Sequence, residues 1–474
     1  MKTRFTKTLC FLICLTVLFG CFGQSASAGS YAMNAQQWAG YWDEYVREGK
    51  AVYLAPGSDD TQMRFAWLSG SNTVQPTVRI SKNADMRDFV IFKGGYTSSK
   101  NVEFSAHVTA TGLEAGTLYY YQCCTGNNTT EIKSFKTVAK GSAFSAVYVT
   151  DIHISGDSLA NERLIQTSQN LNNVLDAALE KDDNISLIVS GGDQADSGLL
   201  PEYIGLFASP VLKTIPFALT IGNHDANTTN YKHITNNPNI YQNAKSRSLL
   251  GGDYWFVKGD ALFLMLDSTN TSASDHYAFV EQAVAANPGV KWRVAVFHHD
   301  LYGGHNPNRE GETRLLRILL APIFDKFAVD LVMMGHSHVF SRSHVLYNNK
   351  VSENLTGLSS VKDPKGTVYF VSGSANKPRL PDDEASERIA FDHISIEDVI
   401  YNIINFDDER IAIKSYIMGN DSEPFDTFII EKTGGAGGHP EKPVPFWYGF
   451  IARLGTVYNM INNIVRSIEI AAGK

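Results

Sequence analysis

The chain is short of cysteine, of basic excess and of long apolar runs, and each shortage excludes something. It has five cysteines in 474 residues, and three of them, Cys10, Cys14 and Cys21, fall within the first 28. The other two, Cys123 and Cys124, are adjacent. Neighbouring cysteines form at most a strained vicinal bridge, which closes no long loop, so a disulfide-held scaffold is excluded. Lysine and arginine number 41 against 49 acidic residues, a formal charge of -8. That balance excludes a broad cationic surface, and no nucleic-acid duplex is expected as a partner. After the N-terminus no stretch reaches the roughly 20 apolar residues that span a bilayer, so no transmembrane span is expected. At about 100–200 residues per domain, the length leaves room for two or three domains with substantial cores.

What is present begins with a leader. Lys2, Arg4 and Lys7 precede an apolar run from Leu9 to Cys21, and Ala26-Ser27-Ala28 supplies small residues at cleavage spacing. Residues 1–28 therefore read as a signal peptide, and the chain as exported to a periplasm or the exterior. Leu18-Phe19-Gly20-Cys21 also resembles a bacterial lipoprotein box, with Phe19 an awkward occupant. A lipid anchor at Cys21, which would make the chain an outer-surface lipoprotein, is the alternative to free release. Removal of the leader takes three positive charges and no acidic ones, so -8 becomes -11.

Residues 29–50, with Trp38, Tyr41, Trp42, Tyr45 and Val46, carry helical periodicity and predict a lead-in helix. Residues 51–138 hold short alternating runs such as Met63–Trp67, Val78–Ile80 and Val102–Val108, separated by Gly, Ser and Asp. They predict a small β-sandwich in which Tyr119 and Tyr121 share one face and serve the core. From 140 to 420 the pattern becomes strand, polar loop, helix. Phe144–Val149, Ile185–Val189, Phe217–Ile221, Trp292–Phe297 and Val329–Met334 are nearly continuous apolar runs. Such runs predict strands covered on both faces, hence an α/β core, completed by Gly366–Ser372, Phe391–Ile396, Val399–Asn405 and Ile411–Ser415. Residues 421–474 form a linker and an apolar helical tail. The tail shows no cationic face and is expected to pack back on the protein rather than on a membrane.

Each of the five apolar strands ends in potential metal donors: Asp151-Ile152-His153, Gly192-Asp193-Gln194-Ala195-Asp196, Gly222-Asn223-His224-Asp225, His298-His299 and Gly335-His336-Ser337-His338. One such cluster is an ordinary loop. Five at the carboxyl ends of strands, where open α/β folds bind their ligands, point to one shared site on a rigid frame. Carboxylate, imidazole and amide donors without a thiol suit Fe, Zn or Mn.

This ordered series resembles the calcineurin-like metallophosphoesterase superfamily over about residues 140–420. The preceding region, with its Gly116-Thr117-Leu118-Tyr119 turn into a strand, looks like the fibronectin-III-like domain of purple acid phosphatases. The resemblance implies a four-layer αββα sandwich behind a small all-β sandwich. It also implies two divalent or mixed-valence metal ions. Asp151, His153, Asp193 and His338 would hold one ion; Asn223, His298 and His336 would hold the other, with Asp193 bridging. His224 would face the substrate as phosphate contact or general acid, oriented by Asp225. Asn223 would also meet substrate, His299, the rival to His298 for the ligand role, would be a cleft residue on the substrate side, and in the loop after Tyr302, His305 would be a second acid and Arg309 a phosphate contact.

The chemistry so implied is hydrolysis of small phosphate monoesters by in-line attack of a metal-bound hydroxide. A phosphodiesterase or nucleotidase would use the same metals, and a cell-surface scaffold with little turnover is the alternative of a different class. One departure matters. Purple acid phosphatases carry a tyrosine three residues after the second-motif aspartate, and that position here is Asp196. Their first motif usually lacks the histidine that His153 provides. Both differences put a ferric–divalent pair in doubt.

Overall fold

The computed structural model describes residues 30–472 except 48–50, 101, 103, 245–249, 303–309, 381–389, 394–395, 436–443 and 446. The N-terminal strands pair into two small antiparallel sheets. One runs in the order Val52–Pro56, Met63–Leu68, Ser105–Ala110, Gly95–Thr97. The other is built around Thr77–Ser81 and Leu118–Thr125. Their alternating side chains meet in one core containing Phe65, Val78, Val108, Tyr121 and Phe135. Tyr119 and Tyr121 both face this core, and the Tyr119 hydroxyl accepts from the Glu114 amide at 2.8 Å, fixing the preceding turn. Cys123 and Cys124 are buried free thiols: neighbours on a strand point to opposite faces, so they form no bridge.

Two larger sheets follow, and five of their strands are labelled here: β1 (Phe144–Val149), β2 (Ile185–Ser190), β3 (Phe217–Leu219), β4 (Trp292–Val296) and β5 (Leu331–Met334). β3, β2 and β1 lie parallel in the first sheet, which Ile400–Phe406, Arg410–Ile417 and Asp426–Glu431 extend. β4 and β5 lie parallel in the second, between the hairpin Tyr254–Lys258/Ala261–Met265 and Thr367–Ser372. Period-2 alternation then sets the layers. Ala146 and Tyr148 of β1 join Val294 and Val296 of β4 in a core between the sheets. Val147 and Val149 face the helix Glu162–Lys181 on one outside, and Ala295 faces the helices Ala273–Ala286 and Glu310–Lys326 on the other. The result is helix, sheet, sheet, helix, as expected. The strands are apolar throughout because neither face meets water.

The lead-in segment is a helix, Ala35–Tyr41, continued by one wider turn, Trp42–Val46. It packs on the α/β unit. The Trp38 and Trp42 indoles donate to the Ile165 and Leu159 carbonyls at 3.0 and 2.9 Å. The C-terminal helix Tyr448–Ala472 also packs on this unit, through Tyr448 and Ala452.

Candidate metal centre

Parallel strands deliver their carboxyl ends to one edge, and the loops leaving them are stitched together by backbone hydrogen bonds. The His153 amide donates to the Asp193 carbonyl at 3.0 Å, and the Gly335 amide to the His298 carbonyl at 2.9 Å. The approach is close enough to require glycine. A Cβ on Gly222 would lie 2.1 Å from Asp193 Oδ1, and one on Gly335 2.0 Å from Thr150 Oγ1. Asp151, His153, Asp193, His336 and His338 all have φ between +47° and +73°. That left-handed region is uncommon outside glycine, and the residues populating it tend to cluster where function imposes it.

The side chains converge in two overlapping groups. In the first, His338 Nε2 lies 3.2 Å from Asp151 Oδ1 and 3.2 Å from His153 Nε2, and His153 Nε2 lies 3.9 Å from Asp193 Oδ2. In the second, His298 Nε2 lies 3.2 Å from that same Asp193 oxygen, 3.1 Å from Asn223 Oδ1 and 3.1 Å from His336 Nδ1. Asp193 Oδ2 is thus shared between them. Facing nitrogen pairs offer more lone pairs than protons can link, while carboxylate oxygens lie beside them. A cation satisfies that donor set, and its nitrogen and oxygen character fits divalent transition metals. The residues present therefore fit two metal ions.

The outer ring nitrogens of His298 and His338 hold those donors in orientation, as in ordinary metal sites. His298 Nδ1 lies 3.0 Å from the Gly191 carbonyl, and His338 Nδ1 is held by the Lys377 carbonyl. His153 Nδ1 lies 3.0 Å from Asp196 Oδ1, and Lys377 Nζ contacts the same carboxylate. Burial depresses His153 to about 4 against the attraction of Asp151 and Asp193. Burial also opposes charge on His298, but Asp193 and Asp151 more than offset it and hold the ring up near 9. Asp151 and Asp193 are themselves lowered by the surrounding imidazoles despite burial.

Other expectations fare unevenly. His224 lies at the rim, 37% exposed, with its Nε2 3.9 Å from Asp193 Oδ2. Its Nδ1 is 2.5 Å from the Asp196 carbonyl. Asp225 does not orient it, which corrects the sequence reading. The Asp225 carboxylate is fully buried and accepts from the amides of Gly222, Gln194 and Ala195 and from the Tyr203 hydroxyl, at 2.9–3.3 Å. The short 3-10 turn Asp225–Asn227 swings the side chain inward, and burial with the nearby Asp193 pushes it up to about 7. His299 is buried, with Nδ1 2.8 Å from Ser268 Oγ. It touches the rings of His298 and His336 rather than an open cleft. His305, Arg309 and Cys21 lie outside the described residues.

The sequence reading missed the segment Ser374–Lys377. It leaves the strand Thr367–Ser372 at the same edge; Ser374 Oγ donates to the Asp151 carbonyl at 2.8 Å, and Lys377 holds both Asp196 and His338.

Comparison with known proteins identifies two domains. Residues 145–340 match the calcineurin-like phosphoesterase family, and residues 50–137 match the N-terminal domain of purple acid phosphatases. The chain thus joins a calcineurin-like phosphoesterase domain to a purple acid phosphatase N-terminal domain, the make-up of a metal-dependent phosphatase. Purple acid phosphatase 22 of Arabidopsis thaliana is 26% identical over 70% of this chain and 73% of its own length. Purple acid phosphatase 15 of the same plant is 24% identical over 59% and 55%. The fold is shared with a purple acid phosphatase from yellow lupin seeds (TM-score 0.66, 16% identity, 83% of this chain and 77% of that one) and with PhoD (0.52, 13%, 87% and 98%). The family has a dinuclear metal centre, and this phosphatase has Asp and His groups that could hold one. Among the described residues no helix is long and apolar enough to cross a membrane.

Proposed function

We propose that this phosphatase is an exported enzyme that hydrolyses small phosphate monoesters at the two donor groups joined by Asp193, with His224 as the substrate-facing residue. The observation that carries this reading is the shared Asp193 oxygen with a partly open imidazole 3.9 Å away. Two bound divalent cations would supply an acidified water and would offset charge on the phosphoryl oxygens. Asp151, His153 and His338 would hold one, Asn223, His298 and His336 the other. Asp193 keeps the two groups at fixed spacing.

His224 has a further constraint. Its Nδ1 proton goes to the Asp196 carbonyl, so Nε2 donates to a phosphoryl or leaving oxygen only when the ring is the imidazolium. The backbone contact fixes the ring plane, a positioning role that Asp225 does not fill. Asp196 meanwhile lies beside His153 and pairs with Lys377 instead of supplying a phenolate, so iron in this site would lack the charge-transfer partner that colours purple phosphatases. The metal-loaded protein is expected to be colourless or faintly coloured, and a strong visible band would refute that assignment.

The test is turnover of p-nitrophenyl phosphate, its bis-ester and nucleotides, before and after chelation and metal add-back. Monoester turnover that chelation abolishes and metal restores supports the proposal. Turnover of the bis-ester alone would reject the monoesterase reading and leave the site standing.

A further inference from the structure

The helix Tyr448–Ala472 has two opposite faces of contrasting use. At 100° per residue, Tyr448, Ala452, Gly455 and Asn459 fall on one side, and that side is docked. The Tyr448 hydroxyl donates to the Leu319 carbonyl at 2.8 Å, Asn459 Oδ1 accepts from the Thr271 amide at 3.3 Å, and Thr456 Oγ1 lies 2.9 Å from Ser272 and Ser274 Oγ. A Cβ on Gly455 would be 2.4 Å from the Thr271 carbonyl oxygen, so the helix is seated as closely as backbone permits.

The other side is apolar and uncovered. Phe450, Leu454, Val457, Ile461, Ile464 and Ile468 are each 52–66% exposed. Their spacing alternates four and three residues through the whole run, the seam by which one helix packs on another. Tyr458, Met460 and Val465, each about half exposed, flank it. A contiguous patch of this kind is unusual on a monomer's surface. Nine large side chains, about half exposed, present on the order of 800 Å² of apolar surface, which matches one side of a standard stable interface. The polar residues of the helix are mainly Asn459, Asn462, Asn463 and Ser467, with Arg453, Arg466 and Glu469 the charges. A helix lying on an anionic membrane would carry a cationic face, and this one does not.

We infer that the exposed seam of the C-terminal helix is a homodimer interface, in which the same stripe of a second copy covers it. A two-fold pairing needs only one self-complementary patch, and a 3–4 apolar stripe on a rigidly seated helix is one. The catalytic edge is formed by other elements, so activity does not depend on the pairing.

The test is sedimentation equilibrium of the phosphatase recovered from cells expressing the full sequence, alongside the pair Ile461→Glu/Ile464→Glu. The unchanged chain is expected at twice the protomer mass at micromolar concentration. The double variant is expected at one protomer mass, with kcat toward p-nitrophenyl phosphate unchanged, which shows that it is folded. A monomeric parent, or a variant that stays dimeric, overturns the inference. Co-sedimentation of a monomeric parent with phosphatidylcholine–phosphatidylglycerol vesicles, lost in the variant, would overturn it in favour of a lipid surface.

Discussion

Asp193 and His224 lie 3.9 Å apart, yet their removal should have different consequences. Asp193→Asn replaces the carboxylate oxygen that lies 3.9 Å from His153 and 3.2 Å from His298, and should lower both metal content and turnover, read by metal analysis and kcat. His224→Ala should leave metal content nearly intact, since Asn223 rather than His224 completes the second group. Loss of an acid typically costs about 10²–10⁴ in rate, and the loss should be smaller for p-nitrophenyl phosphate than for an alkyl phosphate, whose leaving oxygen needs the proton more. Equal losses on both esters would leave His224 only a binding role; loss of metal would make it a ligand. A second histidine, remote from this chemistry, bears on stability. His276 is wholly buried, with Nδ1 2.6 Å from Asp253 Oδ2 and Nε2 2.7 Å from the Asn270 carbonyl, so both nitrogens donate and the ring is an imidazolium. Burial opposes that charge, but Asp253 and the carbonyl prevail and raise the ring to about 9. Because the folded value lies above the unfolded one of about 6.5, the stabilisation is complete below about pH 6.5 and is lost as pH rises through about 9. Urea midpoints at pH 6, 7.5 and 9 should fall for the parent and fall less for His276→Gln; parallel slopes would remove His276 from the account.

Strand ends were the part of the site most legible in the sequence, because an apolar run stopping at Asp, His or Asn marks both the element and its chemical end. The same rule applied to Thr367–Ser372 would have reached Ser374 and Lys377, but Gly373-Ser374-Ala375-Asn376-Lys377 contains no aspartate or histidine to draw notice. Asp225 was misread because neighbours in a turn do not share a direction: one residue beyond His224 the chain enters a 3-10 turn and the carboxylate points to the buried side. The hairpin Tyr254–Lys258/Ala261–Met265 was missed although Gly259-Asp260 is a two-residue turn signal, with Gly259 at φ +55°. No periodicity could reveal the five left-handed donor positions, since backbone strain arises only when loops from different strands meet. Such positions cost about 1–3 kcal/mol each where the residue is unsuited to them, and bound ions would offset that cost by binding only the folded arrangement. Metal at about a thousandfold its dissociation constant would contribute about 4 kcal/mol. At roughly 1 °C per kcal/mol for a unit of about 400 residues, chelation should lower the melting temperature by about 4 °C, and add-back should restore it. A melting temperature indifferent to chelator would show that the loops hold their geometry unaided.

Across the whole molecule, the β-sandwich is bound to the α/β unit by specific polar contacts as well as by apolar packing. The Tyr53 and Tyr121 hydroxyls donate to the Phe217 and Lys213 carbonyls at 2.8 Å, and the Asn236 side chain donates to the Phe65 and Val108 carbonyls at 3.1 and 3.2 Å. Phe217 begins β3, two strands from the donor-bearing loop after β1, so the sandwich braces the sheet that carries the candidate site. An ion pair also crosses this junction: Asp60 lies 3.0 Å from Lys258, whose side chain is 6% exposed, and Asp60 also accepts from the Gly259 amide at 2.8 Å. Removing one member of a buried pair leaves the other charge uncompensated and typically costs about 3–5 kcal/mol, whereas replacing both with apolar groups is often neutral. For a unit of about 400 residues unfolding together, about 2.1 cal/mol/K per residue makes 1 kcal/mol worth roughly 1 °C, so Asp60→Ala should lower the melting temperature by roughly 3–6 °C. Lys258→Met added to it should recover much of that loss, because the stranded ammonium is gone. If the two units fold as one, calorimetry will show a single transition that moves as a whole in both variants. Two separating transitions in Asp60→Ala would mean that the sandwich is a weakly attached neighbour, and activity should then persist after the first of them.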